Sequence, residues 1–201
     1  MSLKKLNLSF DDGLKDQYKW ARGLYRFGYK ATFFINPSRF GHAGFLKLDW
    51  LKKMHDEWGH IIANHLWTHE CPAQVDMSIL IRNFHYAAAW LVKHGFGDGW
   101  DLVSIPFGSL GGGWTDEHIN VLLEHCSLIR DVSLDGDMMY KGGKRIYAYE
   151  STIPLPVGEG IAARYFHGNH NTFDKDFVAF LNYMKDEDVE VVTLREIADE
   201  V

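Results

Sequence analysis

Two adjacent carboxylates lie in the run Ser9-Phe10-Asp11-Asp12-Gly13, near the start of the chain. Like charges held side by side raise each other's pKa, so such a pair is costly unless a cation lies close by. In a functional interpretation, one carboxylate binds a metal cation, and the charge of that cation keeps the other carboxylate ionised as a base. An acidic turn that ends in glycine is the alternative interpretation.

Two histidines four residues apart follow in the run His65-Leu66-Trp67-Thr68-His69. This spacing places both rings on one face of a helical turn, close enough to share a metal ion. A metalloprotease helix requires glutamate directly after the first histidine, and Leu66 occupies that position, so this class is excluded. Together with Asp12, the two histidines form a His₂-carboxylate set that leaves coordination positions open for water and substrate. Alone, such a pair is a weak signal in a chain with 11 histidines.

Two further runs carry polar groups into predicted turns. The first is Ser104-Ile105-Pro106-Phe107-Gly108, and the second is Arg164-Tyr165-Phe166-His167-Gly168-Asn169-His170. Each has a structural alternative, a simple strand-to-turn transition for the first and a surface histidine for the second. All four runs lie at, or just after, the C-terminal end of a predicted strand.

Short β-rich runs alternate with longer helical patterns, which is typical of βα units around a parallel sheet. The predicted strands are Leu6–Phe10, Ala31–Ile35, His60–Ala63, Leu102–Ile105, Leu128–Val132, Ile161–Phe166 and Val189–Val192. The predicted helices are Asp16–Phe27, Asp49–Glu57, Ile79–His94, Thr115–Cys126, Asp174–Glu187 and Leu194–Asp199. Seven such units in one domain, residues 1–201, predict a small irregular barrel with its chemistry at the C-terminal strand ends. Gly108–Gly113 and Asp135–Gly143 are predicted loops.

Composition excludes several classes of function. A formal net charge of −6 without a basic stripe argues against a nucleic-acid partner. The longest apolar run, Tyr86–Val92, is far shorter than the ~20 residues that span a bilayer. The first residues lack the apolar stretch of a secretory signal, so the default expectation is a cytoplasmic protein. Cys71 and Cys126 are expected to be buried free thiols. The 11 histidines and 14% aromatic residues suggest a metal site and a flat-faced ligand.

The four runs, taken in order, resemble the polysaccharide deacetylase (NodB-homology) family of carbohydrate esterase type. SFDDG and the HxxxH box are the specific parts, and the PFG turn and the strand ending in YFHG add to them. The resemblance implies a distorted (β/α)₇ barrel and a hydrolase that removes N-acetyl groups from a carbohydrate with a divalent metal, Zn²⁺ being the expected ion. It implies the following roles: Asp11 as general base, Asp12, His65 and His69 as metal ligands, and His167 as general acid.

Three departures from the family pattern bear on activity. Ser104 stands where the family's third motif usually carries an arginine that pairs with the base, and Arg130 on the next strand is the predicted replacement. An arginine paired with Asp131 or with solvent is the alternative. The fourth motif is not distinct, since Asp131, Asp135 and Asp137 are equal candidates. His170 is a second candidate acid, and His167 is preferred because it immediately follows the strand.

The resemblance also places the backbone N–H of Phe107 beside the metal, where it would stabilise an oxyanion. The aromatic residues on the predicted site loops that could stack on sugar faces are Trp67, Phe107, Trp114 and Tyr165. Two alternatives stay open, namely a hydrolase of another C–N bond such as a small cyclic amide, and a metal-retaining carbohydrate-binding module that has lost catalysis. The expected partner is a carbohydrate or another small amide, and the oligomeric state is left open.

Overall fold

The computed structural model of the protein describes residues 4–135, 137–150, 160–167 and 173–201. In this part of the chain, nine strands form one mixed sheet. The strands are β1 (Lys5–Phe10), β2 (Thr32–Ile35), β3 (Ile61–Asn64), β4 (Leu102–Ser104), β5 (Leu128–Val132), β6 (Met139–Tyr140), β7 (Arg145–Ala148), β8 (Ile161–Phe166) and β9 (Glu190–Val191). The α-helices are α1 (Gln17–Arg26), α2 (Leu48–Lys52), α3 (Met77–Lys93), α4 (Gly108–Gly111), α5 (Asp116–Leu123), α6 (Phe173–Asp186) and α7 (Leu194–Ala198).

Seven parallel strands form a nearly closed barrel, which confirms the predicted distorted (β/α)₇ architecture. β8 pairs with β1, and the order then continues through β2, β3, β4 and β5 to β7. Tyr149, directly after β7, brings the two ends together, because its N–H donates to the Ala163 carbonyl and its carbonyl accepts from the Tyr165 N–H. β6 runs antiparallel to β8, and β9 pairs with β1, so both lie outside the ring.

One barrel strand was not predicted from the sequence. The seventh predicted strand, Val189–Val192, pairs with β1 only as the two residues of β9. The missing member of the ring is β7, which directly follows the stretch Asp135–Gly143 that was predicted to be a loop and contains β6. A strand of four residues after a polar, glycine-containing run carries too little periodicity to be recognised.

β1 shows how the barrel divides its side chains between two environments. Successive residues of a strand point to opposite faces. Leu6, Leu8 and Phe10 are fully buried in the cluster between the sheet and the helices α1 and α6. Asn7 and Ser9 alternate with them, are also fully buried, and donate hydrogen bonds to the carbonyls of Val192, directly after β9, and of Arg164 in β8. Polar side chains therefore face the barrel interior, and the next inward position after Ser9 falls at the strand end.

The helices that were predicted from periodicity are present with shifted ends. In α6 the spaced residues Phe177, Phe180, Leu181 and Met184 are buried against the cluster around β1. The capping box predicted at the start of α7 is present, since the Thr193 N–H donates to Glu196 Oε2 over 2.7 Å. No helix in the described ranges has the length and apolar character required to cross a membrane.

Candidate active site

The adjacent carboxylates directly follow β1, and they enter different surroundings. Asp11 is only 3% exposed, and its carboxylate accepts hydrogen bonds from Nη2 of Arg130 and from Oγ of Ser104. Burial raises the pKa of Asp11, but the charge of the Arg130 guanidinium, joined by those of His65 and His167 when these rings are protonated, outweighs burial and holds this pKa below its ordinary value. Asp11 is therefore an ionised carboxylate in a fixed orientation.

Arg130 makes the contact with Asp11 that the sequence analysis expected. Arg130 on β5 and Ser104 on β4 are register partners in a parallel pair, so their side chains lie next to each other on the same face. The Arg130 guanidinium also donates to Ser104 Oγ and lies over the rings of Phe34 and Tyr165, 5.4 and 4.8 Å from their centroids. Because the two positions are neighbours, an arginine at either of them reaches the same carboxylate.

Asp12 lies beside the two histidines that follow β3. The Nε2 atoms of His65 and His69 lie 3.6 and 3.2 Å from Asp12 Oδ1. Among the described residues, these three form the one cluster of histidine, cysteine or carboxylate side chains that could hold a metal ion. Their ligand atoms all lie within 4.8 Å of one another.

The two histidines are prepared to act as neutral ligands. His65 Nδ1 donates to the Ser104 carbonyl over 2.8 Å, which leaves the lone pair of Nε2 directed toward Asp12. Burial lowers the pKa of His65. Burial, and next in size the repulsion that two protonated rings would have at His65 and His69, lowers the pKa of His69 to about 4. Both rings are therefore neutral near pH 7, the form in which imidazole binds metals.

The fit of a cation to this cluster rests on two buried atoms that the protein leaves without hydrogen bonds. Oδ1 of Asp12 and Nε2 of His65 have no hydrogen-bond partner in the described structure, although both atoms are inaccessible to solvent. Unpaired buried polar atoms are costly unless a ligand satisfies them. A carboxylate oxygen and two imidazole nitrogens form a donor set that Zn²⁺ favours, with a fourth position open. The residues present therefore fit a divalent cation.

The loops of the site carry most of the backbone strain in the described chain. Four non-glycine residues have positive φ, and three of them, Asp12 (72°), Leu66 (62°) and Phe107 (65°), lie in these loops. Such conformations cost free energy and persist only where surrounding contacts hold them. At Leu66, the N–H donates to Asn64 Oδ1 and the carbonyl accepts from Asn36 Nδ2. The strain is thus localised where the side chains converge.

The turn after β4 is held from the neighbouring strand. Phe107 is followed by Gly108, also at positive φ, where an added Cβ would meet Val132 Cγ2 at 2.0 Å. The next residue, Ser109, donates its N–H to Oδ1 of the fully buried Asp131 over 2.8 Å. The Phe107 ring is half-exposed, and its centroid lies 4.4 Å from that of His69. The turn that is expected to stabilise an oxyanion therefore lies next to the candidate metal ligands Asp12, His65 and His69.

Asp131, Asp135 and Asp137, the three candidates for the aspartate of the family's fourth motif, have different surroundings in the structure. Asp131 also pairs with Arg145, so it is a buried anchor of the turn after β4 and not a surface group. Asp135 and Asp137 are exposed and hydrogen-bond each other within their own loop, Asp137 N–H to Asp135 Oδ1. None of the three hydrogen-bonds a histidine in the described structure.

The carboxylate that pairs with His167 is Glu150 and not one of these three aspartates. His167 Nδ1 lies 3.0 Å from Oε1 of Glu150, a residue just beyond β7. The hydrogen bond that His167 Nδ1–H donates to Glu150 raises the pKa of His167 above its ordinary value against the opposing effect of burial, and the charges of Asp11 and Asp12 add to the rise. These contacts favour the protonated form of His167. His170, the other candidate acid, lies outside the described residues.

Sequence reasoning did not find three polar residues that fix the site. Gln17, at the start of α1, donates to the carbonyls of Asp11 and His167 and so ties the two strand-end loops together. Asn36, directly after β2, donates to the His65 carbonyl and so fixes the turn that carries this histidine. Glu150 was missed because the strand before it was missed. None of them has a motif signal, since each acts through a contact made only in the fold.

The predicted aromatic residues divide into site and packing residues. Phe107 and Tyr165 border the site, and burial raises the pKa of Tyr165 to about 12. Trp114 does not line it, because its ring is buried and its Nε1 donates to the Pro106 carbonyl over 2.8 Å. Trp67 faces away into a groove lined by Tyr86, Ala89, Trp90 and Lys93.

Comparison with known proteins agrees with this geometry. A family model described as polysaccharide deacetylase matches residues 1–125, more than half of the chain. No curated protein is similar enough in sequence to match the chain.

Three similar solved structures show the fold. The family 4 carbohydrate esterase from Bacillus anthracis has 17% identity and a TM-score of 0.68 over 99% of this chain and 84% of its own. The family 4 carbohydrate esterase from Streptomyces lividans, in complex with acetate, has 14% identity and a TM-score of 0.66 over 94% and 91%. The Streptococcus pyogenes deacetylase PplD, also in complex with acetate, has 20% identity and a TM-score of 0.56 over 62% of this chain. The match spans only 54% of that deacetylase.

Proposed function

Because the chain belongs to the polysaccharide deacetylase family, we propose that it is a metal-dependent hydrolase that removes N-acetyl groups from a carbohydrate. One observation carries the proposal: Asp12, His65 and His69 bring three ligand atoms together beside Asp11, a buried carboxylate that Arg130 holds in place. This set provides a cation site and a fixed base side by side. The acetate named for two of the similar structures agrees with an acetyl group as the part removed.

The residues of the chain divide the reaction between them. A bound divalent cation supplies a Lewis acid and a water of lowered pKa, about 7 in zinc enzymes. Asp11 accepts the proton of the attacking water, because Arg130 keeps it ionised and correctly oriented. The Phe107 N–H donates to the carbonyl oxygen as negative charge develops there. His167, protonated through its pairing with Glu150, gives a proton to the departing amine nitrogen.

Arg130 is the reason to prefer an active enzyme to a binding module. Without an arginine at the position of Ser104, the base would lack compensating charge, and the catalytic assignment would be weak. The guanidinium comes instead from the adjacent strand and reaches the same carboxylate. The site therefore keeps base, acid, cation ligands and charge partner together.

The test combines metal analysis with product analysis. The purified protein is loaded with Zn²⁺ and incubated with N-acetylated sugars and, separately, with small cyclic amides. We expect acetate release from at least one acetylated sugar, no release by Asp11→Asn, and full release by His42→Ala, whose histidine lies in an exposed loop. Opening of a cyclic amide without acetate release would assign the site to another C–N bond. Carbohydrate binding without any product would overturn the enzymatic assignment.

A further inference from the structure

Besides Arg130 and His167, the site has a further cationic side chain, Arg39, at its solvent-exposed edge. Arg39 has no role in the reaction described above. Arg39 lies at the end of the short turn Pro37–Arg39 that follows β2. Its Nη1 is 3.6 Å from Asp12 Oδ1, and one third of its side chain is exposed. A guanidinium therefore lies between a candidate metal ligand and the solvent from which a substrate arrives.

Contacts with two site loops fix the position of Arg39. The guanidinium carbon lies 5.2 Å from the centroid of the Phe45 ring. The segment around Phe45 pairs with the loop after Asp12, since Leu14 and Phe45 form a β-bridge. On the other side, the Ser38 N–H donates to the Trp67 carbonyl over 3.2 Å. The backbone of Arg39 is thus tied to both metal-ligand loops, and its guanidinium lies against the Phe45 ring, which reduces the conformational freedom that ligand binding would cost.

The charges around Arg39 change when a cation occupies the metal cluster. Asp11 is matched by Arg130, and Asp12 would be matched by the cation itself. Arg39 then lies close to a divalent positive charge without a negative partner of its own among these groups. Like charges at this range repel, so an anion beside Arg39 would be stabilised. The net charge of the chain is −6, so the overall field does not attract anions, and a local cation is needed to bind one.

We propose that Arg39 binds a carboxylate of the carbohydrate substrate, next to the acetamide group that is hydrolysed. This inference rests on the proposed function and adds to it a substrate class, an acidic acetamido sugar. The planar guanidinium fork matches a carboxylate in geometry, and the pair forms charge-assisted hydrogen bonds. A phosphate ester offers the same anionic oxygen chemistry and is distinguished by experiment. Neutral acetylated sugars, by contrast, would leave Arg39 without a partner beside the bound cation.

The experiment measures binding without turnover, so its result does not depend on deacetylation. Glucose, glucuronic acid, glucose carrying a 3-O-carboxyethyl ether, and glucose 6-phosphate lack an acetamide group and are titrated calorimetrically into the Zn²⁺-loaded protein. We expect at least one carboxylated sugar to bind about tenfold more tightly than glucose, the usual worth of one charge-assisted hydrogen bond. The preference should weaken in added salt and in metal-free protein, where Asp12 itself pairs with Arg39.

Two variants decide whether Arg39 is responsible. Arg39→Gln should remove the preference for the anionic sugar while the zinc content stays at the wild-type level. Arg22→Gln removes the same charge from the exposed face of α1 and should leave the preference intact. A preference that survives in Arg39→Gln, or equal affinity for glucose and every anionic sugar, would overturn the proposal. Tighter binding of the phosphate ester, lost in Arg39→Gln, would keep the anion site and assign it to phosphate.

Acetate release from neutral N-acetylglucosamine by the wild-type protein tests the proposed function separately. If acetate is released but no anionic sugar is preferred, the deacetylase assignment stands and the inference on Arg39 fails.

Discussion

Nη2 of Arg130 on β5 donates to both carboxylate oxygens of Asp11 at the end of β1, inside the barrel. The guanidinium is fully buried and Asp11 is nearly so. Ser104, the register partner of Arg130, donates to the same carboxylate. Two neighbouring strands therefore orient the carboxylate that we propose as the base.

Replacing Arg130 by leucine should leave Asp11 buried without its charge partner. Removal of one member of a buried ion pair costs about 3–5 kcal/mol, so the free energy of unfolding should fall by that order. Urea denaturation measures it, and turnover should be lost as well. Ser104→Ala, which keeps the ion pair, is the matched control. In the Arg130→Leu background, Ser104→Arg should restore turnover, and a wild-type rate in Arg130→Leu alone would contradict the assigned role.

Substitutions of the two adjacent carboxylates, Asp11 and Asp12, should have different effects on the metal content of the protein. Asp12→Ala removes a ligand atom and should cost bound metal. Asp11→Asn should keep the metal and lose turnover, because Asp11 is directed to Arg130 and Ser104 and not to the histidines. Elemental analysis of both purified variants is the measurement. Equal metal loss in the two would mean that they act as a joint ligand.

His65→Ala and His69→Ala should each weaken metal binding and abolish the effect of a chelator on thermal stability. A metal that binds only the folded state stabilises it by mass action. The melting temperature of the wild type should therefore fall when chelator is added, while those of the two variants stay unchanged. His85→Ala, on the exposed face of α3, should behave as wild type. If the wild-type protein contains metal but its melting temperature does not change when chelator is added, the prediction is refuted.

His167→Ala should lower kcat by about 10²–10⁴-fold, the usual contribution of general acid catalysis. Glu150→Gln should keep the acid but lower the pKa of His167, because the hydrogen bond to the Glu150 carboxylate is what raises this pKa most. An acid must be protonated to act, so the alkaline fall of the pH–rate profile should move to lower pH in this variant. An unmoved profile would exclude His167 as the group that titrates. His170→Ala should change kcat little, and a large loss there would exchange the two roles.

His60 should make the protein sensitive to mild acid. Its ring is fully buried, Nδ1 accepts the Ala31 N–H and Nε2 donates to the Ala21 carbonyl. Protonation of Nδ1 would break the bond from Ala31, so this bond needs the neutral ring. Burial lowers the pKa of His60 to about 4. The folded pKa lies below the unfolded value of about 6.5, so the stability contribution is full above pH 6.5 and disappears as pH falls toward 4, by roughly 3 kcal/mol in total.

Chelator-treated protein, unfolded with urea at several pH values, removes metal loss as a cause, and the lowered pKa values of His65 and His69 act equally in wild type and variant. His60→Gln should make the decline between pH 6.5 and 4 less steep, at the cost of lower stability at pH 7. His42→Gln, in an exposed loop, should retain the wild-type slope. If His60→Gln declines as steeply as wild type, another group is responsible.

The amino-acid sequence determined where the residues of the candidate site lie along the chain. Paired carboxylates after β1, the i, i+4 histidines after β3 and the histidine after β8 follow strands that could be recognised from alternation and β-rich composition. Parallel strands in a barrel present their C-terminal ends at one face, so the meeting of these groups follows from topology. Asp12, His65 and His69 do come together in the structure.

Only the tertiary structure decided which residues pair with Asp11 and His167 and so set the protonation and orientation of these two side chains. The pairing of Arg130 with Asp11, and not with Asp131, depends on the register of β4 with β5 and on which face of the strand turns inward. Glu150 reaches His167 only because β7, four residues long and without a periodic signal, closes the ring. Strand alternation is local and is visible in one sequence. Charge compensation depends on distances between residues far apart in the chain, here 119 positions for Arg130 and Asp11, and only packing sets those distances.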